Sequence, residues 1–318
     1  MLCSICRQPV SALYKKIYDD RYGYPGTFDS VSCPNCGHVA LENPPSQSVL
    51  ETLYTRYYPR KSVSADSVKA HPIGTPLRNW WKGERSSAFR WVPPGVKILD
   101  IGCGLGESLL YHQARGCTAV GGEADENVQS LARARGMRIE KGLFSSTMFK
   151  GETFDCVTLE QVIEHVSDPV IFLKDVGLVL AKNGTVILST PNARGWGTKV
   201  FGRKWINWHV PYHLHVFSAS SLKQVAEAAG YSVEQISTVT HASWLYYQLS
   251  HNFTYPDQGA PSAFWSFPKQ RTFGQKAFFK ILYYLQKFGI LDFPTRILDG
   301  FDWGDNRVAI LRKRSTTV

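Results

Sequence analysis

A short apolar strand followed by alternating glycines is the feature that most constrains the fold of this chain. Residues 98–106 read I-L-D-I-G-C-G-L-G, in which Asp100 ends the strand and Gly102, Gly104 and Gly106 follow. Glycine lacks a Cβ and adopts positive φ readily, so this turn lets the backbone approach a ligand closely. A helix beginning directly after it would direct unpaired N–H groups at that ligand. The stretch therefore predicts a nucleotide-like cofactor at the carboxyl end of a strand.

The next predicted strand ends in an acidic residue. Residues 118–122 read T-A-V-G-G, and Glu123 follows, 17 positions after Gly106. In doubly wound folds a carboxylate at that place accepts both hydrogen bonds of a ribose diol. A dinucleotide site has the same geometry, but its pyrophosphate-binding turn reads G-x-G-x-x-G, whereas this chain has D-x-G-x-G-x-G. The pattern therefore favours S-adenosylmethionine, which brings no phosphate to accommodate.

Further motifs follow in order between about residues 96 and 240. They are F-D-C-V-T-L-E at 154–160, E-H-V-S-D-P at 164–169 and N-G-T-V-I-L-S-T-P-N at 183–192. Together with the glycine turn and Glu123, these motifs make the chain resemble the class I S-adenosylmethionine-dependent methyltransferases. The resemblance implies an α/β fold with a doubly wound, seven-stranded Rossmann-like sheet.

The resemblance also implies which residues hold S-adenosylmethionine. Gly102 and Gly104 are expected against its methionine part. Glu123 is expected to hold the ribose, and Glu160 to lie beside the cofactor at the end of its strand. The complete predicted set is Asp100, Gly102, Cys103, Gly104, Gly106, Glu123, Ala124, Leu143, Phe144, Glu160 and Gln161.

The segment after the third strand of this core departs from the family pattern. Many members carry an acidic residue there that contacts the adenine amino group. This chain has Gly142, Leu143 and Phe144 instead. We therefore expect apolar packing and backbone groups to hold the adenine.

Four cysteines early in the chain have the spacing of a metal site. They form the pairs Cys3-x-x-Cys6 and Cys33-x-x-Cys36, separated by 26 residues. Two such turns can present four thiolates to one tetrahedral Zn²⁺, and a site with four protein ligands is structural because no position stays open for substrate. Four free thiols or a redox-active dithiol are the alternatives. The remaining cysteines are expected as small buried side chains of the core: Cys103, Cys117 and Cys156.

The net charge of +10 raises the question of an anionic partner. Basic residues are scattered along the chain without a basic helix or an RNA-binding motif, so a nucleic-acid partner is not expected. A diffuse positive surface also suits phosphate-bearing metabolites or an anionic membrane face. No apolar stretch approaches the roughly 20 residues that span a bilayer, and the first residues lack the apolar region of a signal peptide. A cytoplasmic enzyme is the expectation, with peripheral contact to the inner membrane face left open.

Local sequence signals predict several further elements. The residues between the cysteine pairs, 14–32, are expected to form a hairpin plus a turn, and residues 59–75 a loop. A helix is predicted at about 76–91, and helices are predicted to start at Asp168, which precedes Pro169, and at Ser218. The strand predicted at 231–240 is expected to pair antiparallel with residues 306–312.

Composition divides the chain into five segments. Residues 1–45 are expected to form the zinc-binding module, 46–92 a helical linker or lid, 93–240 the S-adenosylmethionine-binding core, 241–301 an aromatic-rich insertion, and 302–318 the final strand with a basic tail. A helix is predicted within the insertion at 275–288. A packed cap over the sheet or a dimer interface explains its aromatic residues. An acceptor lid, or a helix at a membrane surface beside a lipid-linked substrate, is the alternative.

Methyl transfer to oxygen requires alignment of the acceptor and, for a poorly nucleophilic sugar hydroxyl, a general base. Histidine suits that role near neutral pH. His213, in the segment P-Y-H-L-H-V-F-S, is the first candidate and His165 the second. His215 points to the other side if that segment is extended, which makes it a poor third. Alternatively, His213 and His215 only fix the loop through hydrogen bonds.

The four-cysteine module combined with T-P-N and P-Y-H-L-H-V-F-S makes the chain similar to bacterial methyltransferases that modify polysaccharides and sugars. That similarity implies O-methylation of a nucleotide-, lipid- or glycoside-linked saccharide during cell-surface glycan or glycoside biosynthesis. Trp205, Trp208 and Tyr212 are expected to supply a stacking wall for the sugar ring. Sugar C-methylation, RNA methylation and a cofactor-binding scaffold without catalysis are the alternatives, and a homodimer is left open.

Overall fold

Eleven β-strands and ten α-helices make up the described part of the chain, which in this computed structural model comprises residues 1–58, 68–125, 127–265 and 271–314. The strands are β1 (Ser11–Tyr18), β2 (Thr27–Ser32), β3 (Val39–Leu41), β4 (Lys97–Ile101), β5 (Thr118–Glu123), β6 (Arg138–Lys141), β7 (Phe154–Glu160), β8 (Leu180–Pro191), β9 (His215–Val216), β10 (Tyr231–Thr238) and β11 (Asn306–Lys313). The helices are α1 (Gln47–Thr52), α2 (Pro76–Trp81), α3 (Glu107–Gln113), α4 (Val128–Ala134), α5 (Pro169–Val176), α6 (Trp196–Phe201), α7 (Ala219–Ala228), α8 (Ala242–Phe253), α9 (Phe273–Lys287) and α10 (Asp292–Gly300).

A seven-stranded sheet of order β10-β11-β8-β7-β4-β5-β6 forms the centre of the structure. The strands from β4 to β8 run parallel, whereas β11 is antiparallel to both β8 and β10. The predicted pairing of β10 with a strand beyond the insertion is confirmed, because Tyr231 lies opposite Lys313 and Thr238 opposite Arg307. The carboxyl ends of the five parallel strands meet at one edge, where ligands bind in such folds.

Helices cover both faces of this sheet, as the doubly wound pattern predicts. Helices α3 and α4 bury Leu109 and Leu131 in the core on one face. Helices α5 and α7 bury Leu173 and Val225 in the core on the other face. Successive strand side chains point to opposite faces, so a strand covered on both sides is apolar throughout. The expected α/β fold is therefore confirmed.

Capping residues fix two helix starts that the sequence predicted. The Asp168 carboxylate accepts hydrogen bonds from the N–H groups of Val170 and Ile171, both at 2.9 Å, where α5 begins. The Ser218 hydroxyl accepts from the Ser221 N–H at 3.1 Å, where α7 begins. Such caps satisfy N–H groups that have no partner within their own helix.

The four-cysteine segment forms a second, antiparallel sheet of order β1-β2-β3-β9. The predicted hairpin is β1 and β2, and the fourth strand, β9, comes from the loop that follows the core strand β8. Trp205 and Trp208 of that loop are buried with Ile17 and Val39 between this small sheet and the core. The segment is therefore fastened to the core by backbone pairing and by packing.

The helical linker is more broken than the sequence indicates. The predicted helix at about 76–91 consists of α2 and two short 3-10 turns, Glu84–Ser86 and Ala88–Trp91. Gly83 interrupts it with φ +59°, and a Cβ at that position would lie 2.1 Å from the Thr240 carbonyl oxygen. The close approach of these two backbones ends the helix. Part of the loop predicted at 59–75, residues 59–67, lies outside the described residues.

Three helices, α8, α9 and α10, form most of the described part of the insertion between β10 and β11. The predicted helix at 275–288 is α9, which begins with a capping box between Thr272 and Gln275. Its residues Phe279 and Leu282 are buried, whereas Ile281 and Tyr284 are exposed. Within the described residues no helix is long and apolar enough to cross a membrane. The five segment boundaries, and the choice between cap, lid and interface, stay predictions.

Candidate cofactor and catalytic site

A cavity of about 500 Å³ opens at the carboxyl ends of β4 and β5. Six residues from the predicted sets line it: Gly102, Glu123, Ala124, Leu143, Phe144 and His165. Gly102 has φ +75°, and a Cβ there would lie 2.7 Å from Val162 Cγ2. Gly102 therefore brings the backbone close to Val162 at the wall of the cavity, and the approach of the turn to a ligand stays a prediction.

Glu123 presents its carboxylate to this cavity. One oxygen accepts a hydrogen bond from the Gly104 N–H at 2.9 Å, and the other accepts from the Asp125 N–H at 2.9 Å. A carboxylate oxygen has two lone pairs, so each oxygen can still accept from a ribose hydroxyl. Because the backbone fixes the carboxylate on both sides, the acceptor pair is oriented before a ligand arrives.

Asp100 lies beneath the cavity rather than on its wall. Its carboxylate is buried and accepts hydrogen bonds from the hydroxyls of Ser108 and Thr158, the latter at 2.7 Å. Burial raises the pKa of Asp100 to about 6. This side chain joins β4 to the start of α3 and to β7, so it supports the glycine turn from below.

The remaining predicted residues of the turn are also outside the cavity lining. Cys103 is buried, and Gly106, with φ +82°, leaves room for Met137, whose Sδ would lie 2.6 Å from a Cβ at that position. Gly104 contributes its N–H to Glu123. These residues shape the turn, and their contact with the cofactor stays a prediction.

The side chains of Glu160 and Gln161 form hydrogen bonds to neighbouring segments of the chain. The Glu160 carboxylate accepts a hydrogen bond from the Ala88 N–H, and burial raises its pKa to about 7. The Gln161 side-chain amide donates to Asn306 Oδ1 at 2.9 Å, at the start of β11. Glu160 therefore contacts the 3-10 segment that begins at Ala88, and Gln161 contacts β11. Neither side chain lines the cavity.

The rim of the cavity beside Gly142, Leu143 and Phe144 is apolar, and its contact with adenine stays a prediction. Leu143 is 77% exposed at the rim, next to Gly142 and Phe144. Phe172 of α5 lies in edge contact with Phe144, with ring centroids 5.7 Å apart. An aromatic base covering Leu143 would remove apolar surface from water.

Two predicted histidines meet at the other side of the cavity. His165 lines the cavity, and its Nδ1 lies 2.9 Å from the Tyr212 carbonyl oxygen. His213 is buried behind it, with Nδ1 2.8 Å from the Asn207 carbonyl oxygen. The two rings are in edge contact, with centroids 4.7 Å apart. His213, the first candidate from sequence, is therefore a neighbour of the cavity and His165 is its wall.

Both histidines have the tautomer that a general base requires. A backbone carbonyl only accepts, so each Nδ1 carries the proton and each Nε2 has a free lone pair. Burial lowers the pKa of His165 to about 4 and holds the pKa of His213 well below its usual range. The imidazoles are therefore neutral near pH 7.

Sequence reasoning missed three residues of this region. Glu164 is buried, its Oε2 accepts from Thr190 Oγ1 at 3.0 Å, and its Oε1 has no hydrogen-bond partner in the described part of the chain. Burial raises the pKa of Glu164 to about 8. Tyr54 lines the cavity, with its hydroxyl 3.4 Å from His165 Nδ1, and His209 stacks on Tyr212. The E-H pair at 164–165 was a visible signal, whereas nothing local distinguishes Tyr54 or His209.

The predicted aromatic wall is wrong. Trp205, Trp208 and Tyr212 are all buried. The Trp205 indole N–H donates to Asp305, with 2.9 Å to Oδ2, and the Trp208 indole N–H donates to the Gly202 carbonyl oxygen at 2.8 Å. These rings fill the space between the two sheets and present no face to a ligand. His215 also points away from the cavity, with His38 Nε2 3.1 Å from its Nδ1.

The four-cysteine cluster has metal-binding geometry. The sulfur atoms of Cys3, Cys6, Cys33 and Cys36 all lie within 4.8 Å of one another. The Cys3–Cys36 distance is 3.7 Å and the Cys6–Cys33 distance 3.4 Å. Tetrahedral Zn²⁺ with Zn–S bonds near 2.3 Å places its sulfurs about 3.8 Å apart, so the donors fit.

Each cysteine pair closes in the same backbone turn. The Arg7 N–H donates to the Cys3 carbonyl oxygen at 3.0 Å, and the Gly37 N–H donates to the Cys33 carbonyl oxygen at 2.8 Å. Arg7 and Gly37 both have positive φ. The thiolates of each pair are thereby directed to one point, as a shared ion requires.

Comparison with known proteins agrees with this geometry. A family model described as a methyltransferase domain matches residues 75–236. A probable S-adenosylmethionine-dependent methyltransferase of Mycolicibacterium smegmatis is 31% identical over 180 residues, which cover 54% of this chain and 67% of that protein. A ubiquinone biosynthesis O-methyltransferase of Bartonella bacilliformis is 30% identical over 129 residues, which cover 38% of this chain and 52% of that protein.

The structural comparison is more distant. The crystal structure of an S-adenosylmethionine-dependent methyltransferase from Archaeoglobus fulgidus has a TM-score of 0.43 and 17% sequence identity, covering 84% of this chain and 100% of that chain. The chain spans only about half the length of the Bartonella relative. Its acceptor is therefore a matter for the site itself.

Proposed function

We propose that this chain, which belongs to the class I S-adenosylmethionine-dependent methyltransferases, transfers a methyl group to a hydroxyl oxygen of a saccharide. The supporting observation is a neutral histidine, His165, on the wall of the cavity that Glu123 also lines. A hydroxyl acceptor needs a base within hydrogen-bond reach, and a base acts only in its unprotonated form.

In this proposal each part of the cavity has a separate task. Glu123 accepts two hydrogen bonds from the ribose diol, and Leu143 packs on the adenine. When bound, S-adenosylmethionine would supply a sulfonium methyl group activated for displacement, and the electron pair of the carbon–sulfur bond would remain on its sulfur. His165 Nε2 would accept the proton of the acceptor hydroxyl whose oxygen takes the methyl group.

A cluster of tyrosines beside His165 favours a saccharide as the acceptor. Tyr54 lines the cavity, and Tyr58 is 41% exposed next to it, with ring centroids 5.8 Å apart. Tyr212 packs against both rings from the interior. Tyrosine combines an apolar ring with a polar hydroxyl, which suits the C–H faces and hydroxyls of a sugar. The buried tryptophans take no part in this version of the acceptor site.

A phenolic hydroxyl is the second candidate acceptor. It is favoured by the apolar lining of the cavity, including Val162, Val166 and Phe172. It is also favoured by the Bartonella relative, whose name specifies O-methylation in ubiquinone biosynthesis. A carbon acceptor, an RNA base and a scaffold without catalysis remain outcomes of the experiment below.

We propose further that Cys3, Cys6, Cys33 and Cys36 bind one structural Zn²⁺. Four thiolates leave no coordination position for a substrate. The ion would stabilise the small sheet, whose strand β3 pairs with β9 directly after the His213 loop. Zinc would thus act on catalysis only by holding that loop.

The experiment is transfer from [¹³C-methyl]-S-adenosylmethionine to matched panels of sugars, nucleotide-linked sugars, phenols and short RNAs. The ¹³C chemical shift of the product distinguishes O-methyl from C-methyl and N-methyl groups. We expect an O-methyl signal with one sugar class, greatly reduced in His165→Asn and retained in His71→Asn, a control whose histidine is outside the cavity lining. A C-methyl product, transfer to RNA, or cofactor binding without any transfer would overturn the proposal, and a phenol-only product would select the second candidate.

A further inference from the structure

A second cavity lies on the same edge of the sheet, where β8 ends and β11 begins. Its volume is about 620 Å³. Arg194, Lys199 and Arg307 line it, together with the first residues of α7. We call it the basic pocket. Among the described residues it shares no lining residue with the first cavity, which Gly102 and Glu123 line and which we call the cofactor cavity.

Arg307 is the unusual member of this group, because it is only 5% exposed. Its Nε donates to Asn192 Oδ1 at 2.9 Å, but within the described residues its guanidinium forms no ion pair with a carboxylate. Burial and the nearby Arg194 charge lower its pKa, while Asp302 acts in the opposite direction. Asp302 offsets this charge in part, but no carboxylate of the described residues contacts the guanidinium, so the arrangement suits an anion from outside the chain.

Arg194 and Lys199 place two further positive charges at the mouth. Neither forms an ion pair in the part of the chain that the structure describes. The Arg194 guanidinium lies against Gly37 of the cysteine module, where a Cβ would be 2.6 Å from its Nε. Lys199 Nζ lies 5.5 Å from the ring centroid of Trp303, which is 53% exposed at the rim.

The start of α7 adds unpaired donors to the same space. The Ser218 hydroxyl accepts from the Ser221 N–H and donates to the Cys36 carbonyl oxygen. Among the described residues the N–H groups of Ala219 and Ser220 have no acceptor, as expected for the first turn of a helix. Backbone donors at a helix start, with positive partial charge, bind phosphate readily.

One carboxylate, that of Asp302, is present among the pocket-lining residues. It is exposed and accepts a hydrogen bond from Thr238 Oγ1 at 2.8 Å. The three basic side chains outnumber it. The pocket therefore keeps an excess of positive charge with the geometry of a shallow cleft beside an aromatic ring.

We propose that the basic pocket binds the diphosphate group of a ligand, with Arg307 as its buried anchor and Trp303 beside the attached organic group. Arginine suits this role because its planar guanidinium donates two parallel hydrogen bonds to phosphoryl oxygens. A second phosphoryl group would extend to Lys199 and Arg194 at the mouth. The assignment of this diphosphate to the saccharide acceptor rests on the proposed function, whereas diphosphate binding itself does not.

The diphosphate can belong to a nucleotide or to a lipid, and these two ligands differ in the group that they would place beside Trp303. A nucleoside diphosphate offers a base that stacks on an exposed indole. A lipid diphosphate offers an aliphatic chain that gains contact with the apolar residues of the insertion. The experiment therefore uses inorganic pyrophosphate for the shared chemistry, and uridine diphosphate and geranyl diphosphate for the two sources.

The test is calorimetric titration of the full chain with these three probes. The variants are Arg307→Gln, Arg194→Gln and Lys199→Gln, with Lys182→Gln as a control because Lys182 is exposed at the opposite end of β8. We expect pyrophosphate affinity to fall at least about tenfold in Arg307→Gln and about threefold to tenfold in the other two variants, from the loss of a charge-assisted hydrogen bond. The control should change by less than about twofold.

Binding of S-adenosylhomocysteine to each variant separates this proposal from the methyltransferase function and reports on folding. If Arg307→Gln fails to fold, the exposed variants Arg194→Gln and Lys199→Gln still decide the matter. Absence of pyrophosphate binding to the parent, or equal binding to parent and exposed variants, would overturn the pocket assignment. Tighter binding of uridine diphosphate than of pyrophosphate supports a nucleotide-linked acceptor, and tighter binding of geranyl diphosphate supports a lipid-linked one.

Discussion

The two cavities differ in charge, although both lie at the edge of the sheet where the parallel strands end. The cofactor cavity combines one fixed carboxylate, Glu123, with apolar side chains such as Leu143 and Phe144. The basic pocket combines Arg194, Lys199 and Arg307 with a helix start. The first suits a ligand that carries a positive sulfonium and a ribose diol. The second suits an anion, so the comparison suggests separate places for methyl donor and acceptor carrier.

His165 belongs to the first cavity, and the cysteine module contacts the second. The Cys36 carbonyl accepts from the Ser218 cap, and Gly37 lies against Arg194. Changes at His165, the proposed base, should therefore leave anion binding intact. Changes in the cysteine module should affect the basic pocket directly and the first cavity only through the His213 loop.

The largest effect is expected for His165→Asn. Loss of a general base lowers kcat by about 10² to 10⁴-fold. Affinities for S-adenosylhomocysteine and pyrophosphate should stay within about twofold, since the variant removes a proton acceptor rather than a binding group. Burial lowers the pKa of His165 to about 4, so the base is active above that value and lost below it. The parent rate should be level between about pH 8 and pH 6 and fall as the pH approaches 4.

Steady-state kinetics across that pH range check this prediction, together with calorimetric titrations of S-adenosylhomocysteine and of pyrophosphate. His213→Asn is the informative companion, because it tests the candidate that the sequence favoured. An effect of His213→Asn on kcat equal to that of His165→Asn would mean that the two rings act together. The assignment of His165 as the base would be wrong if the parent rate stays level down to pH 4 and kcat is unchanged in His165→Asn.

The second-largest effect is expected for zinc removal, which should weaken ligand binding in the basic pocket more than in the cofactor cavity. Structural zinc contributes roughly 10 kcal/mol or more to the folding of small zinc domains, so Cys36→Ser or chelation should unfold the small sheet. The Ser218 cap and Arg194 then lose their neighbours, and we expect pyrophosphate affinity to fall about 30-fold or more. S-adenosylhomocysteine affinity should change far less. Metal content by atomic emission and both titrations provide the check, and equal losses at the two cavities would show that the module supports the entire edge.

Trp303→Ala is expected to distinguish ligands within the basic pocket. Stacking of a base on an aromatic ring contributes about 1 to 3 kcal/mol, so uridine diphosphate affinity should fall about tenfold. Pyrophosphate has no base and should bind almost as before. Phe293→Ala serves as a matched control, because Phe293 is an exposed ring outside the pocket lining. A parallel loss for both probes would assign Trp303 to the shape of the pocket rather than to the base.

The smallest effect is expected for Leu143→Ala at the rim of the cofactor cavity. Its side chain is 77% exposed without a ligand and would be covered by adenine. Removing that contact should weaken S-adenosylhomocysteine binding about fivefold, in keeping with about 25 cal/mol for each Å² of apolar surface buried. Leu178→Ala, at another exposed leucine outside the cavity, is the control. Unchanged affinity in Leu143→Ala would place the adenine elsewhere.

The parts of the site that could be predicted are those encoded within short stretches. The glycine turn and Glu123 belong to one strand–helix–strand unit, and each cysteine pair closes its own turn. Backbone geometry alone brings Glu123 to Gly104, because neighbouring parallel strands end at the same edge. The doubly wound sheet follows from the same alternation of strands and helices.

The predicted side chains that the structure places outside the cavity lining are positioned by distant segments. Glu160 contacts Ala88 because Gly83 turns the linker against the backbone at Thr240, a contact that no local pattern encodes. His213 is turned inward by its bond to the Asn207 carbonyl. The Trp205 ring is drawn into the core by Asp305, about a hundred residues later. Side-chain direction in such loops depends on tertiary partners rather than on period.

Calorimetric titration with S-adenosylhomocysteine tests the central claim most directly, using the parent, Glu123→Ala and Glu140→Ala. Glu140 is a half-buried position on the neighbouring strand β6, ion-paired with Arg138 at 3.0 Å, and serves as the control. We expect binding to the parent, at least about tenfold weaker binding to Glu123→Ala from loss of two hydrogen bonds to a charged acceptor, and a change below about twofold in Glu140→Ala. Absence of binding to the parent, or equal binding to the parent and Glu123→Ala, would contradict the account.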